Sequence, residues 1–315
     1  LLIGGGVICV ILLLFLPEGG PSEVLRIAGE YNKIDVGPYD WDFTQLTFIV
    51  MALNGIFYAL QKYGTDQTIV QRYLAAKNDR DAKKAAYIGV MMSVPIWAMF
   101  MFIGTCLFAY YHTSGAPGLP DGLKADEVFP YFISNQLPVG IRGLIIAALA
   151  AAAISSLDTD LNCLSAIAVQ DYYVRFKKSS TDRQQLRFGR IMVVLSGAGA
   201  VGVALLYISW GGEGVLGALF SLYAIFSAGI VGIFLLGLFS RRANKQGLYI
   251  GIAASVLFTA YAVLTSTKLD LHGTGIKETI LDLGSWNFTQ HKYMLGVYSH
   301  LIVLVVGYMA SFMFA

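Results

Sequence analysis

Charge is what this sequence has least of. Only 13% of its 315 residues are Asp, Glu, Lys or Arg, about half the share of a soluble globular chain. With a mean hydropathy of +0.63, too little polar surface exists to wet a soluble fold of this length. Cysteine is scarce too, and Cys9, Cys106 and Cys163 all fall inside apolar stretches. No CxxC or His/Cys spacing accompanies them, which argues against a disulfide framework and against a metal cluster. A phosphate-cradling glycine loop and a nucleophile–base pair are also missing, so nothing supports an enzyme. There is no soluble domain, low-complexity tract or nucleic-acid patch. The chain opens at Leu1 within an apolar run, with neither Met nor a signal-peptide n-region. The expectation is that residues upstream are absent.

What is present is long apolar sequence in eight segments, approximately 1–16, 44–73, 85–112, 140–170, 191–210, 215–239, 247–266 and 293–315. Several approach the ~20 residues needed to cross a hydrocarbon core about 30 Å thick. Alternating patterns are missing and only helices or closed barrels satisfy the backbone in lipid, so the fold class is an all-α membrane protein. Fourteen of the 22 Lys and Arg sit in three connections, 72–84, 173–190 and 240–246. The positive-inside rule assigns those loops to the cytoplasm. The alternate loops, 17–43, 113–139, 211–214 and 267–292, then face outward. Their turn-formers, such as Pro17-Glu18-Gly19-Gly20-Pro21, read as ordinary connectors. Span count and orientation agree without a break, giving a multi-pass protein of the plasma (inner) membrane whose constant partner is the lipid bilayer.

A polar group at bilayer depth is costly, roughly 2.5–3.5 kcal/mol on insertion scales if charged, so such groups mark function. Two segments stand out. In 54–72, Lys62 and Asp66 stand four residues apart on a helix, close enough to pair. Gly64 between them lowers helix propensity by about 1 kcal/mol relative to Ala. A broken span lined by Lys62, Tyr63, Gly64 and Asp66 suits a solute cavity. The plainer alternative is a structural pair whose lysine snorkels toward the interface.

In 147–162, Ala152, Ser155, Ser156 and Thr159 follow the i, i+3, i+4, i+7 pattern of one helix face. Two hydroxyls, a carbonyl freed by local distortion and the Asp158 carboxylate together make an oxygen cage for a small hard cation, which takes oxygen ligands. Alternatively, serines in a small-residue stripe hydrogen-bond neighbouring helices. Pro95 reads as a helix kink, and the aromatic stretch 220–226 as packing or a cavity wall. His112, His272, His291 and His300 show no partner suggestive of metal or acid–base work.

At these segments the sequence resembles the sodium:solute symporter family. Gly64-Thr65-Asp66-Gln67-Thr68-Ile69-Val70-Gln71-Arg72-Tyr73-Leu74-Ala75-Ala76-Lys77 is similar to that family's sixth core helix and the loop after it. Leu137-Pro138-Val139-Gly140-Ile141-Arg142-Gly143-Leu144, leading into Ala152-Ala153-Ile154-Ser155-Ser156-Leu157-Asp158, resembles the eighth. Phe234-Leu235-Leu236-Gly237-Leu238-Phe239 before Arg241-Arg242 resembles the tenth.

The resemblance implies an inverted-repeat (LeuT-like) transporter fold, with eight spans present and the first repeat mostly missing. Residues 1–16 would end that repeat's last helix, 17–43 form an outer loop, 44–239 the second five-helix repeat, and 240–315 two peripheral helices. It also implies Na+ as the co-transported ion, with no organic cofactor. The solute would be small, polar and organic, a sugar or a sialic acid.

By the same resemblance the Ala152 carbonyl and the Ser155 and Ser156 hydroxyls hold the main sodium. Some members hold a second with Ser155, the positions of Asp158 and Thr159, and an Asp just upstream of Leu1. This sequence departs by carrying a carboxylate at Asp158 where those members have a hydroxyl. Phe220 stands where sugar carriers have a Gln, and Tyr63 lies in the inner-gate neighbourhood. Since half of each site would lie outside these residues, the 315-residue chain is not expected to function alone. The rival readings are a transporter-like sensor domain and a passive pore.

Overall fold

The computed structural model of the chain describes residues 2–113, 118–209, 229–266, 268–269 and 278–314. Helices occupy part of each of the eight apolar segments. They are α1 (Leu2–Phe15), α2 (Gly20–Glu30), α3 (Phe48–Gly64), α4 (Gln67–Leu74), α5 (Asp79–His112), α6 (Val128–Gln136), α7 (Val139–Phe176), α8 (Asp182–Ser209), α9 (Ile230–Phe239), α10 (Lys245–Ser266) and α11 (Met294–Met313). Of these, α5, α7, α8, α10 and α11 are each long and apolar enough to cross a membrane, and α1 with α2 forms a bent pair that passes together. One two-residue antiparallel pairing, Lys268 with Thr279 and Leu269 with Glu278, lies in the 267–292 connection, a small departure from an all-helix expectation.

The chain divides into two compact units. The first comprises Leu1–Asp35 with Gln71–Gly214, and the second Val36–Val70 with Val215–Ala315.

In the first unit, the connector after α1 does more than turn. Gly19 and Gly20 both take positive φ, 105° and 63°, and the chain bends by 89° into α2. Only glycine reaches that backbone region at low cost. Pro21 follows in the first turn of α2, where its missing N–H is harmless. The helix buries Val24, Ile27 and Ala28 and turns outward an Arg26 that bonds both Glu23 and Glu30. Val24 and Ile27 join a core built from Cys9 and Leu13 of α1, Ile103, Cys106 and Tyr110 of α5, Phe132 of α6 and Ile145 of α7. Helix α5 is started by Asn78, whose side chain accepts from the Asp81 amide at 2.9 Å, and it continues through Pro95.

Helix α7 is α-helical to Ile167, makes one wider π-turn over Ala168–Tyr173 and ends at Phe176. Around that turn it is clamped to α8. The Ser165 hydroxyl donates to the Gly189 carbonyl at 2.9 Å, and Tyr173 stacks on Phe188 with ring centroids 4.5 Å apart.

The second unit is organised by the last helix. α11 packs on α10, on α9 and on α3, and glycine sets how closely. A methyl group on Gly251 would stand 2.9 Å from the Val303 carbonyl oxygen and 3.0 Å from the Gly307 Cα. One on Gly247 would meet the Gly307 carbonyl oxygen at 2.7 Å. In lipid, where apolar surface gives no drive for helices to meet, such close approach supplies the packing energy. Hydroxyls finish the seam: Ser255 donates to the Ser299 carbonyl at 3.2 Å, and Thr259 and Ser299 share a bond of 3.0 Å. Asn244 caps α10 through the Gly247 amide at 2.8 Å and reaches the Ser311 carbonyl at 2.9 Å.

This geometry separates two glycines on the same pair of helices. Gly251→Ala in the whole protein should lower stability by about 1–3 kcal/mol, the usual cost of overpacking, because backbone rather than side chain must move. Gly296→Ala, where a methyl meets nothing within 4 Å, should be neutral or slightly stabilising. Thermal unfolding in detergent measures both; equal effects would show that the seam is not tightly packed.

Candidate functional site

Two polar places interrupt the apolar helices, one in each unit. The first is the junction of α3 and α4. α3 stops at Gly64, where the sequence predicts a break, and α4 resumes at Gln67. Gly64 needs no positive φ and has open space around it, so its contribution is low helix propensity rather than a special fit. Thr65 closes α3 by donating its hydroxyl to the Gln61 carbonyl at 2.8 Å.

Asp66 then holds the junction together. One carboxylate oxygen meets Lys62 Nζ at 2.5 Å. The other accepts from the Thr68 amide at 2.8 Å and the Thr68 hydroxyl at 2.6 Å, so Asp66 starts α4 as its N-terminal cap. The pair is half-buried, with side-chain exposures of 32% for Lys62 and 24% for Asp66. Both charges are therefore engaged within the junction, and Asp66 has a structural duty whatever else it does. Tyr63 stands half-buried on the last turn of α3. Phe220 lies outside the described residues.

The second place is mid-helix on α7. Ala152, Ser155, Ser156 and Thr159 share a face there, with Asp158 on its flank. Leu161 and Ser165, which touch Gly197 and Gly189 of α8, lie roughly on the opposite side at 3.6 residues per turn. The polar face thus points away from α8. Ser155, Ser156 and Asp158 are exposed, and Ala152 and Thr159 half-buried.

Hydroxyls in a membrane helix usually return to the carbonyl one turn back, and Thr159 does, donating to the Ser155 carbonyl at 3.0 Å. The Ser155 and Ser156 hydroxyls make no hydrogen bond among the described residues. Asp158 accepts from the Asn162 side-chain amide at 3.1 Å, and this leaves most of its lone pairs open.

The expected helix distortion is not there. α7 is regular through Ala152 and its wider turn comes four turns later, at Ala168–Tyr173. The Ala152 carbonyl keeps its intrahelical bond, and only its second lone pair is free for another partner. The face remains an all-oxygen donor set, which fits a hard monovalent cation and not a soft metal.

One residue passed over in the sequence is central to the second unit. His300 of α11 is 2% exposed. Its ring stacks on Phe57 of α3, centroids 5.4 Å apart and planes 28° apart. No short-range pattern could reveal this, since Phe57 lies far away in the sequence. A lone imidazole in an otherwise apolar last helix was the available signal.

The junction can be tested by its two roles. Asp66→Ala removes a cap worth about 0.5–2 kcal/mol together with the ion pair. Lys62→Met removes only the pair, worth about 1 kcal/mol or less at such exposure. Asp66→Ala should therefore lower the melting temperature more than Lys62→Met; the reverse order would deny the cap.

Residues 18–254 match the model of the sodium:solute symporter family, a family of transporters. Over 310 residues, the chain is 31% identical to the sodium/sialic acid symporter NanT of Aliivibrio fischeri, which covers 98% of this chain and 57% of that protein. It is 29% identical over 288 residues to the sodium/sialic acid symporter SiaT of Proteus mirabilis, covering 87% and 58%. It is also 29% identical over 256 residues to the sodium/glucose cotransporter of Vibrio parahaemolyticus, covering 77% and 46%. The fold superposes on a solved substrate-bound, outward-open Na+-coupled sialic acid symporter, described as revealing a novel Na+-site. The TM-score is 0.80 at 26% identity, covering all of this chain and 60% of that one. The chain thus spans under two thirds of the length of these relatives.

Proposed function

We propose, from the premise that this chain belongs to the sodium:solute symporter family, that it forms the second repeat of a sodium-coupled symporter. In this reading residues 44–239 are the five-helix repeat, 1–16 end the first repeat, and 240–315 are two added helices. The protein is multi-pass in the plasma membrane, with loops 72–84, 173–190 and 240–246 cytoplasmic, and it carries out transport rather than enzymatic chemistry.

The observation that carries the proposal is the α7 face. Two hydroxyls without partners among the described residues, and a carboxylate, stand exposed in the middle of a 38-residue apolar helix. Left against hydrocarbon, such a face is costly. It becomes favourable once a cation takes the Ala152 carbonyl and the Ser155 and Ser156 hydroxyls as ligands, with further oxygens from outside these residues. Asp158 and Thr159, with Ser155, supply a second set of oxygens for another sodium. The carboxylate strengthens that site by adding a full negative charge.

The solute side is assigned to Lys62, Tyr63 and Gly64 at the end of α3, with Asp66 keeping Lys62 in place, and to Phe220. The solute class is a small polar organic molecule, and a sialic acid is favoured over a neutral sugar. Two sodium/sialic acid symporters are among the relatives, and the Lys62 ammonium suits a carboxylate. Coupling then needs only that sodium and solute stabilise the same conformation, a reciprocal linkage.

Sodium should raise the melting temperature of the whole protein in detergent, at constant ionic strength with choline replacing sodium, because a ligand of the native state stabilises it by mass action. Ser156→Ala should shift the half-effective sodium concentration upward by about tenfold or more, the worth of one bond to a charged partner. Asp158→Asn should lower the cooperativity of the sodium curve while leaving its main step. A sodium response indifferent to Ser156 would overturn the assignment of the face.

A further inference from the structure

Along the first half of α11 runs an open groove of about 430 Å³. Its walls include Phe258 of α10, Phe288 of the connection before α11, and Tyr298, Ile302, Val305 and Val306 of α11 itself. The three rings meet edge to face, with centroids 6.0 to 6.4 Å apart, an arrangement that aromatic rings favour. From Tyr298 to Val306 the groove follows α11 for about 12 Å at 1.5 Å per residue. That is most of the depth of one hydrocarbon leaflet, roughly 15 Å.

The mouth has a different character. Gln290 also lines the groove, and its amide oxygen is buried and accepts no hydrogen bond among the described residues. A slack backbone does not explain this. The Phe288 amide donates to the Thr265 hydroxyl at 3.1 Å, and the His291 amide to the Phe43 carbonyl at 2.7 Å. The chain is therefore tied down on both sides of Gln290. A buried acceptor is costly unless a donor meets it, and this one is shut off from water beside a groove that lipid fills in a bilayer. Lys292 follows within about 7 Å of extended chain and puts a positive charge at the level of the mouth.

An acyl chain alone would fill the groove and leave the Gln290 oxygen unserved. A zwitterionic headgroup with a primary ammonium serves both polar groups, offering N–H donors to the amide oxygen and a phosphate to Lys292. We propose that this groove is a binding site for a phospholipid with a primary-ammonium headgroup, the ammonium on Gln290 and an acyl chain along α11. The site lies on the two helices that the symport reading leaves outside the five-helix repeat, and it needs neither sodium nor solute.

The test compares phosphatidylethanolamine with phosphatidylcholine, which has the same net charge but a methylated ammonium without N–H donors. The whole protein, stripped of lipid in detergent, is titrated with each at matched acyl chains and read by native mass spectrometry and thermal unfolding. Phosphatidylethanolamine should be held about tenfold more tightly than phosphatidylcholine, the usual worth of a hydrogen bond to a charged group. Gln290→Leu should bring the two lipids to equal affinity without lowering the melting temperature in detergent, since an unpaired acceptor is removed. Val305→Trp, at an exposed position of the wall, should fill the groove and weaken both.

Equal binding of the two lipids, a preference that survives Gln290→Leu, or retention indifferent to Val305→Trp would each overturn the proposal. Phosphatidylglycerol bound as tightly as phosphatidylethanolamine would overturn the ammonium assignment. A dimer that Val305→Trp dissociates would also overturn it, because the groove would then be an interface between copies of the chain. If Gln290→Leu does not fold, the two-lipid comparison and Val305→Trp decide it. No sodium or solute enters the measurement, so its failure leaves the symport reading standing, and a failure of transport leaves this site to be judged separately.

Discussion

In hydrocarbon there is no water to satisfy a stranded polar group, and that constraint organises this molecule at every level. It makes every crossing segment helical. It returns Thr159, Thr265 and Ser311 hydroxyls to carbonyls one turn back in their own helices, and puts Ser255 and Ser299 into the seam between α10 and α11. Against so uniform a pattern the exceptions carry information. Ser155 and Ser156 stand exposed on α7 with no hydroxyl partner among the described residues, beside a carboxylate. A structural serine in a membrane helix has an easy local partner, and these two do not use it.

The other polar place follows a different logic. At the α3–α4 junction the carboxylate of Asp66 is fully occupied, by Lys62 on one oxygen and by Thr68 on the other. Here polarity stabilises a break. A break held open by its own internal bonds exposes backbone and side chains of both half-helices in a fixed geometry, which is how discontinuous helices serve transporters. One unit thus contributes an unsatisfied oxygen face and the other a pre-formed interruption. The two have separate chemistries suited to an ion and an organic solute.

Much of this was legible in the residues. The eight apolar segments, the stop at Gly64, the Lys62–Asp66 pair at four residues and the shared face of Ala152, Ser155, Ser156 and Thr159 all follow from periodicity and propensity, which act over a few residues. The misses have a common physical cause. Helices α2 and α6 are too short and too polar in part to show as apolar runs, so the outer loops read as mere connectors. Ala152 was expected at a distortion, whereas the π-turn falls at Ala168–Tyr173, where α7 meets α8; such turns depend on neighbours, not on local sequence. The seam of Gly247, Gly251 and Gly307, and the stacking of His300 on Phe57, join residues dozens of positions apart. Only the packed chain reveals them.

On the proposed reading, sodium drives transport through the α7 face. This is tested most directly by reconstituting the whole protein in liposomes and following labelled sialic acids and sugars under an inward sodium gradient. The expected result is accumulation above the outside concentration, collapsing when the sodium gradient alone is dissipated. Equilibration without accumulation, or accumulation indifferent to sodium, would contradict it.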